Sequence, residues 1–442
     1  MAQRASLGAR IRHLQQLSPF QNQDRRPRAR RHATVPFGGG VFEGGVCLTS
    51  RVLDAVQRQD SGQIRQTFVA WAEALRDAKS PQHRDAVEQA RQMPATTLSE
   101  LLRCIDPIRN PQLDVAHGLH LSSGLAQFTP VGHLMDEFGV RTVHRQVLDG
   151  VQALMEIRAE SRGGLAPADY EVMMRCAGAA VDPMAAKRFF AAMAVAGLQQ
   201  WRTTRTWTEF VKARFMVEPA YYQFDRSRVV VLPRDWYGNQ QTMPYAMVKY
   251  LESIRHSLNT LRFYPWNRRR DAPDQDWRRF LRTRHNYRSY AAHFRRAIAY
   301  GIEVDEEFLC ASIVAFSRSS SESTIRTLIL EYHYGLVFRG DGDEERGKPA
   351  VSGGRDMAPE SAIRPTARLL DAIVEAYGSM SMIGLCVELV EFVSRRWAVP
   401  IPARTWSNLL SWTFVCSSRP YSQMRRFQSG GPPAARCSRS GC

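Results

Sequence analysis

The chain has 442 residues, 44% of them hydrophobic, and a formal net charge of +17 from 60 Lys and Arg against 43 Asp and Glu. That length and apolar content support a sizeable buried core, and no apolar run reaches the roughly 18 residues that a membrane-spanning helix needs. So large a positive excess suits a polyanionic partner, a nucleic acid or an anionic membrane, although with Lys at only five positions an Arg-biased codon usage is a competing source of the charge.

Residues 1–40 hold eight Arg and a single acid, Asp24, with Leu7, Ile11 and Leu14 on one face of a short helix. Arg-rich, acid-poor and amphipathic is the composition of a mitochondrial transit peptide. A basic arm for nucleic acid and a nuclear localisation signal in Arg25–Arg31 are the alternatives. With the Gly-rich linker Val35–Gly45, this makes residues 1–45 a leader. An N-terminal helical region follows over 46–160, with apolar periodicity at Val52–Arg58, Ile64–Ala78, His83–Arg91, Thr97–Cys104 and Val131–Arg158. Breaks at Ser80-Pro81, Asn110-Pro111 and Thr129-Pro130 divide these patterns.

Residues 161–338 read as a helical-repeat region. In Pro167–Leu198, Tyr170, Met173, Met174 and Ala177 make one helical stripe, Gly178–Pro183 a turn, and Ala186, Phe189, Phe190 and Met193 a second stripe that stops at Gly197. Ala186, Phe190, Met193 and Gly197 fall on the slots that pentatricopeptide repeats fill with Ala, Leu or Phe, Met and Gly; an ordinary helical hairpin is the alternative. Phe294, Ala297 and Gly301 repeat the same offsets. Val304–Arg318 then reads as a first helix and Thr324–Tyr334 as a second, ending at Gly335, 34 residues beyond Gly301. Between the two units lie a predicted helix at Trp207–Phe215, the single clear β-branched run at Arg228–Pro233, and a predicted helix at Pro244–Leu261. Arg339–Ser361 (339–361) reads as a flexible loop rich in Gly, Asp, Glu and Pro. Residues 362–416 continue as helical repeats: a unit at Thr366–Pro402, then a helix from Arg404 to Cys416 whose Trp406, Leu409, Leu410, Trp412 and Phe414 have no second helix to cover them. The tail, 417–442, reads as disordered or as an aberrant gene-model end. The fold class is all-α, a helix-turn-helix repeat solenoid with irregular insertions.

The second acid-poor segment is Arg262–Arg296, with eleven Arg against three acids and eight interleaved aromatics. Arg forks pair with phosphates and aromatic faces stack on unpaired bases, so this pattern fits single-stranded RNA. The candidate residues are Arg262, Trp266, Arg268, Arg269, Arg270, Arg278, Arg279, Arg282, Arg284, Tyr287, Arg288, Arg295 and Arg296. The competing reading is a solvated helix face, with Phe280, Phe294, Trp277, Tyr287 and Tyr290 turned to a core. No Gly-x-Ser-x-Gly, His-Glu-x-x-His or Walker sequence occurs, so no catalytic residue, cofactor or small-molecule substrate is expected. His117, His120, His133 and Asp136 have no recognised zinc spacing, and eight scattered Cys without a C-x-x-C pair are expected to be reduced thiols.

Four segments, DYEVMMRCAGAAVDPMAAKRFFAAMAVAGL, TWTEFVKARFMVEPAYYQFDR, PWNRRRDAPDQDWRRFLRTR and AIAYGIEVDEEFLCASIVAFSRSSS, together resemble the fungal mitochondrial ATPase expression family, a pentatricopeptide-type group, over roughly residues 115 to 416. The resemblance implies a mitochondrial matrix protein that supports stability or translation of the transcript of a mitochondrially encoded ATP synthase subunit, and the missing catalytic motifs make it a non-enzymatic one. Its implied partner is single-stranded mitochondrial mRNA, with the mitochondrial ribosome or the inner membrane surface as the setting of an alternative scaffold role. The family's base-reading positions carry over poorly: Val172, Arg202 and Ala311 stand where polar readers are usual, and only Asn408 fits.

Overall fold

Five helices begin in the same way, on a short polar side chain that accepts a hydrogen bond from the first turn's backbone. Asp60, Asp182, Thr203, Asp305 and Thr366 play this part, and each stabilises its helix start by about 1 kcal/mol. The computed structural model describes residues 47–111, 140–159, 164–222, 287–339 and 351–417. All belong to one compact unit, Val46–Cys442; a separate unit, Met1–Gly45, lies outside the described residues together with the predicted leader.

In chain order the helices are α1 (Leu48–Arg58), α2 (Ser61–Arg76), α3 (His83–Gln92), α4 (Ala95–Cys104), α5 (Val140–Ala159), α6 (Pro167–Ala179), α7 (Pro183–Val195), α8 (Thr204–Phe215), the single turn α9 (Pro219–Tyr222), α10 (Tyr287–Ala299), α11 (Glu306–Ser317), α12 (Glu322–Thr324), α13 (Ala367–Ser379), α14 (Ile383–Trp397) and α15 (Ala403–Ser417). The described structure is thus mostly helical. None of its helices is long and apolar enough to cross a membrane.

One row of helices packs neighbour on neighbour: α5 on α6, α6 on α8, α8 on α11, α11 on α13, and α13 on α15. On this row lie α7 against α6 and α8, α10 against α8 and α11, and α14 against α13 and α15. Among the described residues the outer partner of α8 is α10.

Three hairpins close with the same turn. Val181, Ser320 and Ser381 have φ values of 58°, 53° and 65°. Their N–H groups donate to the carbonyls of Gly178, Ser317 and Gly378, and the next residue in each case donates to the carbonyl of Ala177, Phe316 or Tyr377. These bonds satisfy carbonyls that the helix end would otherwise leave orphaned. The glycines at two of these ends have a packing role: a Cβ on Gly178 would stand 2.3 Å from the Tyr221 ring, and one on Gly378 2.4 Å from Trp412.

Buried charge ties the row together. Arg175 on α6 donates to both carboxylate oxygens of Asp106, at 2.9 and 3.1 Å, and lies 3.2 Å from Glu209 on α8. Further along, Arg318 donates to Glu375 on α13 at 2.7 Å, and the other oxygen of Glu375 accepts from Trp412 Nε1 on α15 at 3.0 Å. Two apolar cores result, one centred on α1–α6 and the other on α10–α15, and Phe190 packs against both.

The structure corrects two expectations. The predicted loop 339–361 contains a strand, β2 (Val351–Gly353), which pairs antiparallel with β1 (Leu336–Phe338) with Val337 opposite Ser352. Val351 is buried there. The predicted helix Thr324–Tyr334 is a π-helix over Ile325–Glu331 entered from α12; the part of the predicted helix Val131–Arg158 before Val140 lies outside the described residues. The run Arg228–Pro233 and the predicted helix Pro244–Leu261 lie outside the described residues.

Candidate nucleic-acid interface

Helices α7, PMAAKRFFAAMAV, and α10, YRSYAAHFRRAIA, contain no acidic residue. On both, the apolar stripe faces inward: Ala186, Phe189 and Met193 are buried on α7, and Tyr290, Phe294 and Ala297 on α10. The helical period then leaves Lys187 and Arg188 on the outside of α7, and Arg288, Arg295 and Arg296 on the outside of α10. Arg188 reaches Asp182 at 3.8 Å, and Arg295 Nε donates to the Ala291 carbonyl at 3.2 Å. Lys187, Arg288 and Arg296 are exposed and have no acidic partner among the described residues.

The two helices meet through α8. Arg214, near the end of α8, donates from Nη1 to the Pro183 carbonyl at 2.9 Å, one turn before Lys187. At their far ends Tyr300 donates its hydroxyl to the Gln199 carbonyl at 2.7 Å. His293 of α10 packs edge-on against Phe210 and Phe215 of α8, with centroids 5.0 and 6.0 Å apart. Burial, reinforced by the positive charges of Arg296, Arg214 and Lys187, pushes the His293 imidazole down to about 4, so the ring is neutral at neutral pH.

Of the residues singled out in the sequence, Arg262, Trp266, Arg268, Arg269, Arg270, Arg278, Arg279, Arg282 and Arg284 lie outside the described residues. Tyr287, Arg288, Arg295 and Arg296 are brought together on α10. Tyr287 is half-buried, its ring 6.0 Å from Phe316 and its hydroxyl 3.5 Å from Thr324 Oγ1, so it serves packing. Lys187, Arg214 and His293 were not among the sequence candidates. The missing acids of α7 were a usable signal for Lys187; the approach of Arg214 and His293 to it depends on tertiary packing.

The base-reading positions give a clear structural result. Val172 and Ala311 are buried. Arg202 lies 3.9 Å over the Phe190 ring and donates to the Phe190 carbonyl at 2.6 Å, so its guanidinium is engaged within the protein. None of the three presents a free polar group to a base. The six described cysteines are free thiols, all buried except the partly exposed Cys47, and His117, His120, His133 and Asp136 lie outside the described residues.

Residues 306–427 match the family described as mitochondrial ATPase expression, beginning at the first residue of α11. This part of the chain is similar to the mitochondrial ATPase expression family. The likeness points to expression of the mitochondrial ATPase and to the mitochondrion. The matched stretch takes in α11 to α15, so α7 and α10 lie outside it. No curated protein matches the chain.

Proposed function

We propose that this protein is a non-enzymatic RNA-binding factor of the mitochondrial matrix, built as a pentatricopeptide-like solenoid. In this reading it supports stability or translation of the transcript of a mitochondrially encoded ATP synthase subunit. The observation that carries it is the pair of acid-free helices, α7 and α10, with exposed cations, those of α10 forming the described end of the basic segment 262–296. Lysine and arginine without local acids attract phosphates and release counterions when RNA binds. Since Val172, Arg202 and Ala311 are occupied or buried, recognition runs through backbone and shape rather than base by base. The repeated hairpin turn and the row of neighbouring helices support the solenoid.

The test is crosslinking and immunoprecipitation of the protein from isolated mitochondria. Enrichment of one ATP synthase subunit transcript over a control is expected, with binding that weakens steeply as salt rises. Recovery no better than the control would remove the RNA reading.

A second reading has its own observation. On α15, Trp406, Leu410 and Phe414 stand one turn apart and are 43%, 72% and 57% exposed. An apolar ridge of that kind suits a protein scaffold attached to the mitochondrial ribosome or inner membrane. Association that is insensitive to salt and to RNase would favour it.

A further inference from the structure

Two helices of the row grip the helix before them in the same way. Helix α8 reads Arg205, Thr206, Trp207 with Phe215 eight residues after the Trp, and α15 reads Arg404, Thr405, Trp406 with Phe414 at the same distance. Arg205 Nε lies 3.2 Å from one oxygen of Glu171, the fifth residue of α6, and Thr206 donates its hydroxyl to the other at 2.8 Å. Arg404 Nε lies 3.0 Å from one oxygen of Asp371, the fifth residue of α13, and Thr405 donates its hydroxyl to the other at 2.5 Å. Helix α15 is therefore seated on α13 in the register in which α8 is seated on α6. In that register the stripe Trp207, Val211 and Phe215 of α8 corresponds to Trp406, Leu410 and Phe414 of α15. The α8 stripe is buried in the core that also holds residues of α10 and α11, with Val211 at 0% exposure. Leu410, its counterpart, is 72% exposed.

We propose that Trp406 and Leu410 of α15 are the docking face for an amphipathic helix of a partner protein, laid parallel to α15 as α11 is laid along α8. This gives the ridge of the protein-scaffold reading its occupant, rests on that reading and is independent of RNA binding. The orientation comes from the precedent: Thr204 at the start of α8 donates to the carbonyl of Glu303, just before α11, at 2.7 Å, so the two helices begin side by side. The chemistry comes from what α15 changes. Lys212 of α8 is paired with Glu307 at the start of α11, whereas Ser411 stands at the matching place on α15. Arg404 is held by Asp371, and α15 contains no acidic residue. The partner thus needs an apolar stripe at i, i+4 spacing and no charge in its first turn, and its binding is insensitive to salt. Small side chains on that stripe fit best, because facing helices interdigitate with large residues opposite small ones. A second copy of the same face would oppose bulk with bulk.

The test places a photo-crosslinking residue in the full chain at one of two exposed positions on this face, as Ala403→p-benzoylphenylalanine or Leu410→p-benzoylphenylalanine, and irradiates isolated mitochondria. Sequencing of the crosslinked peptides should find one helical segment of another protein, labelled about seven residues closer to its C-terminus from position 410 than from position 403. High salt and RNase should leave that labelling unchanged. Leu410→Asp should reduce labelling from position 403 about tenfold and leave the melting temperature unchanged, since the side chain is exposed. Val211→Asp, at the buried counterpart on α8, should unfold the protein. Labels in residues 418–442 of the same chain, in a second copy or in lipid would overturn the proposal. So would a reversed order, labels scattered over several proteins, or labelling no stronger than from the exposed Arg395 position on α14. Salt- and RNase-insensitive association that survives Leu410→Asp would overturn the docking face and leave the scaffold reading standing.

Discussion

Arginines at the helix junctions and arginines on α10 do opposite things in this protein. Arg175 and Arg318 are buried, each within hydrogen-bond reach of a carboxylate that it neutralises. Arg288 and Arg296 are exposed, with no described acid paired to them. Their side chains are identical, so what separates them is where the sequence supplies acids: Asp106 and Glu209 stand opposite Arg175, Glu375 stands opposite Arg318, and α7 and α10 hold none. The overall charge of +17 therefore says less about binding than the distribution of its counterions does.

The largest effect that can test this contrast is at the junctions. Glu375→Ala leaves Arg318 buried without its partner and takes the acceptor from Trp412 Nε1, so chemical denaturation should show a loss of about 3–5 kcal/mol. A loss under about 1 kcal/mol would mean that the pair is not a structural tie. Gly178→Ala should cost about 1–3 kcal/mol, because its new methyl meets the Tyr221 ring. Gly378→Ala against Trp412 is its internal replicate. At the other pole, Arg288→Ala with Arg295→Ala should move stability by no more than about 0.5 kcal/mol. The same pair should reduce the salt slope of RNA binding by about one unit for each phosphate that is no longer neutralised. Equal losses of stability at both poles would erase the distinction.

Acid should expose the cost of the neutral imidazole. The folded His293 has a pKa near 4, below the unfolded value of about 6.5, so the unfolded chain binds the extra proton between those values. Stability from this group is present above the unfolded value and is lost as pH falls toward 4. Melting temperatures at pH 7.5 and pH 5 should therefore differ less in His293→Phe than in the parent. A small gain is expected at the hairpin turn: Val181 is β-branched at φ 58°, and Val181→Gly should raise stability by about 0.5–1 kcal/mol. No gain there would show that the turn stores no strain.

The helices were legible in the sequence wherever an apolar stripe and a cap coincided. Asp182 with Pro183, and Gly197 and Gly335 beyond helix ends, marked boundaries that the structure keeps within a few residues. The strand Val351–Gly353 was hidden because three residues carry no periodicity, and its burial comes from packing beside α14. The π-helix was hidden because Ile325–Glu331 has an ordinary helical pattern. The candidate interface was half legible. Charge imbalance marked Arg288, Arg295 and Arg296, whereas Lys187, Arg214 and His293 sit far apart in sequence and are joined only through α8. Tyr287 carried an aromatic signal that packing against Phe316 accounts for.

The pairing of α8 with α10 has a consequence for synthesis. About 70 residues separate the end of α8 from the start of α10, so closing that contact in an unfolded chain costs about 2–3 kcal/mol more than closing a short hairpin. During translation α8 emerges with its α10-facing side, including Phe215, uncovered until α10 has also left the ribosome. A nascent chain of this protein thus presents an apolar surface during that interval, when a chaperone or an early stop would have its greatest influence on its fate.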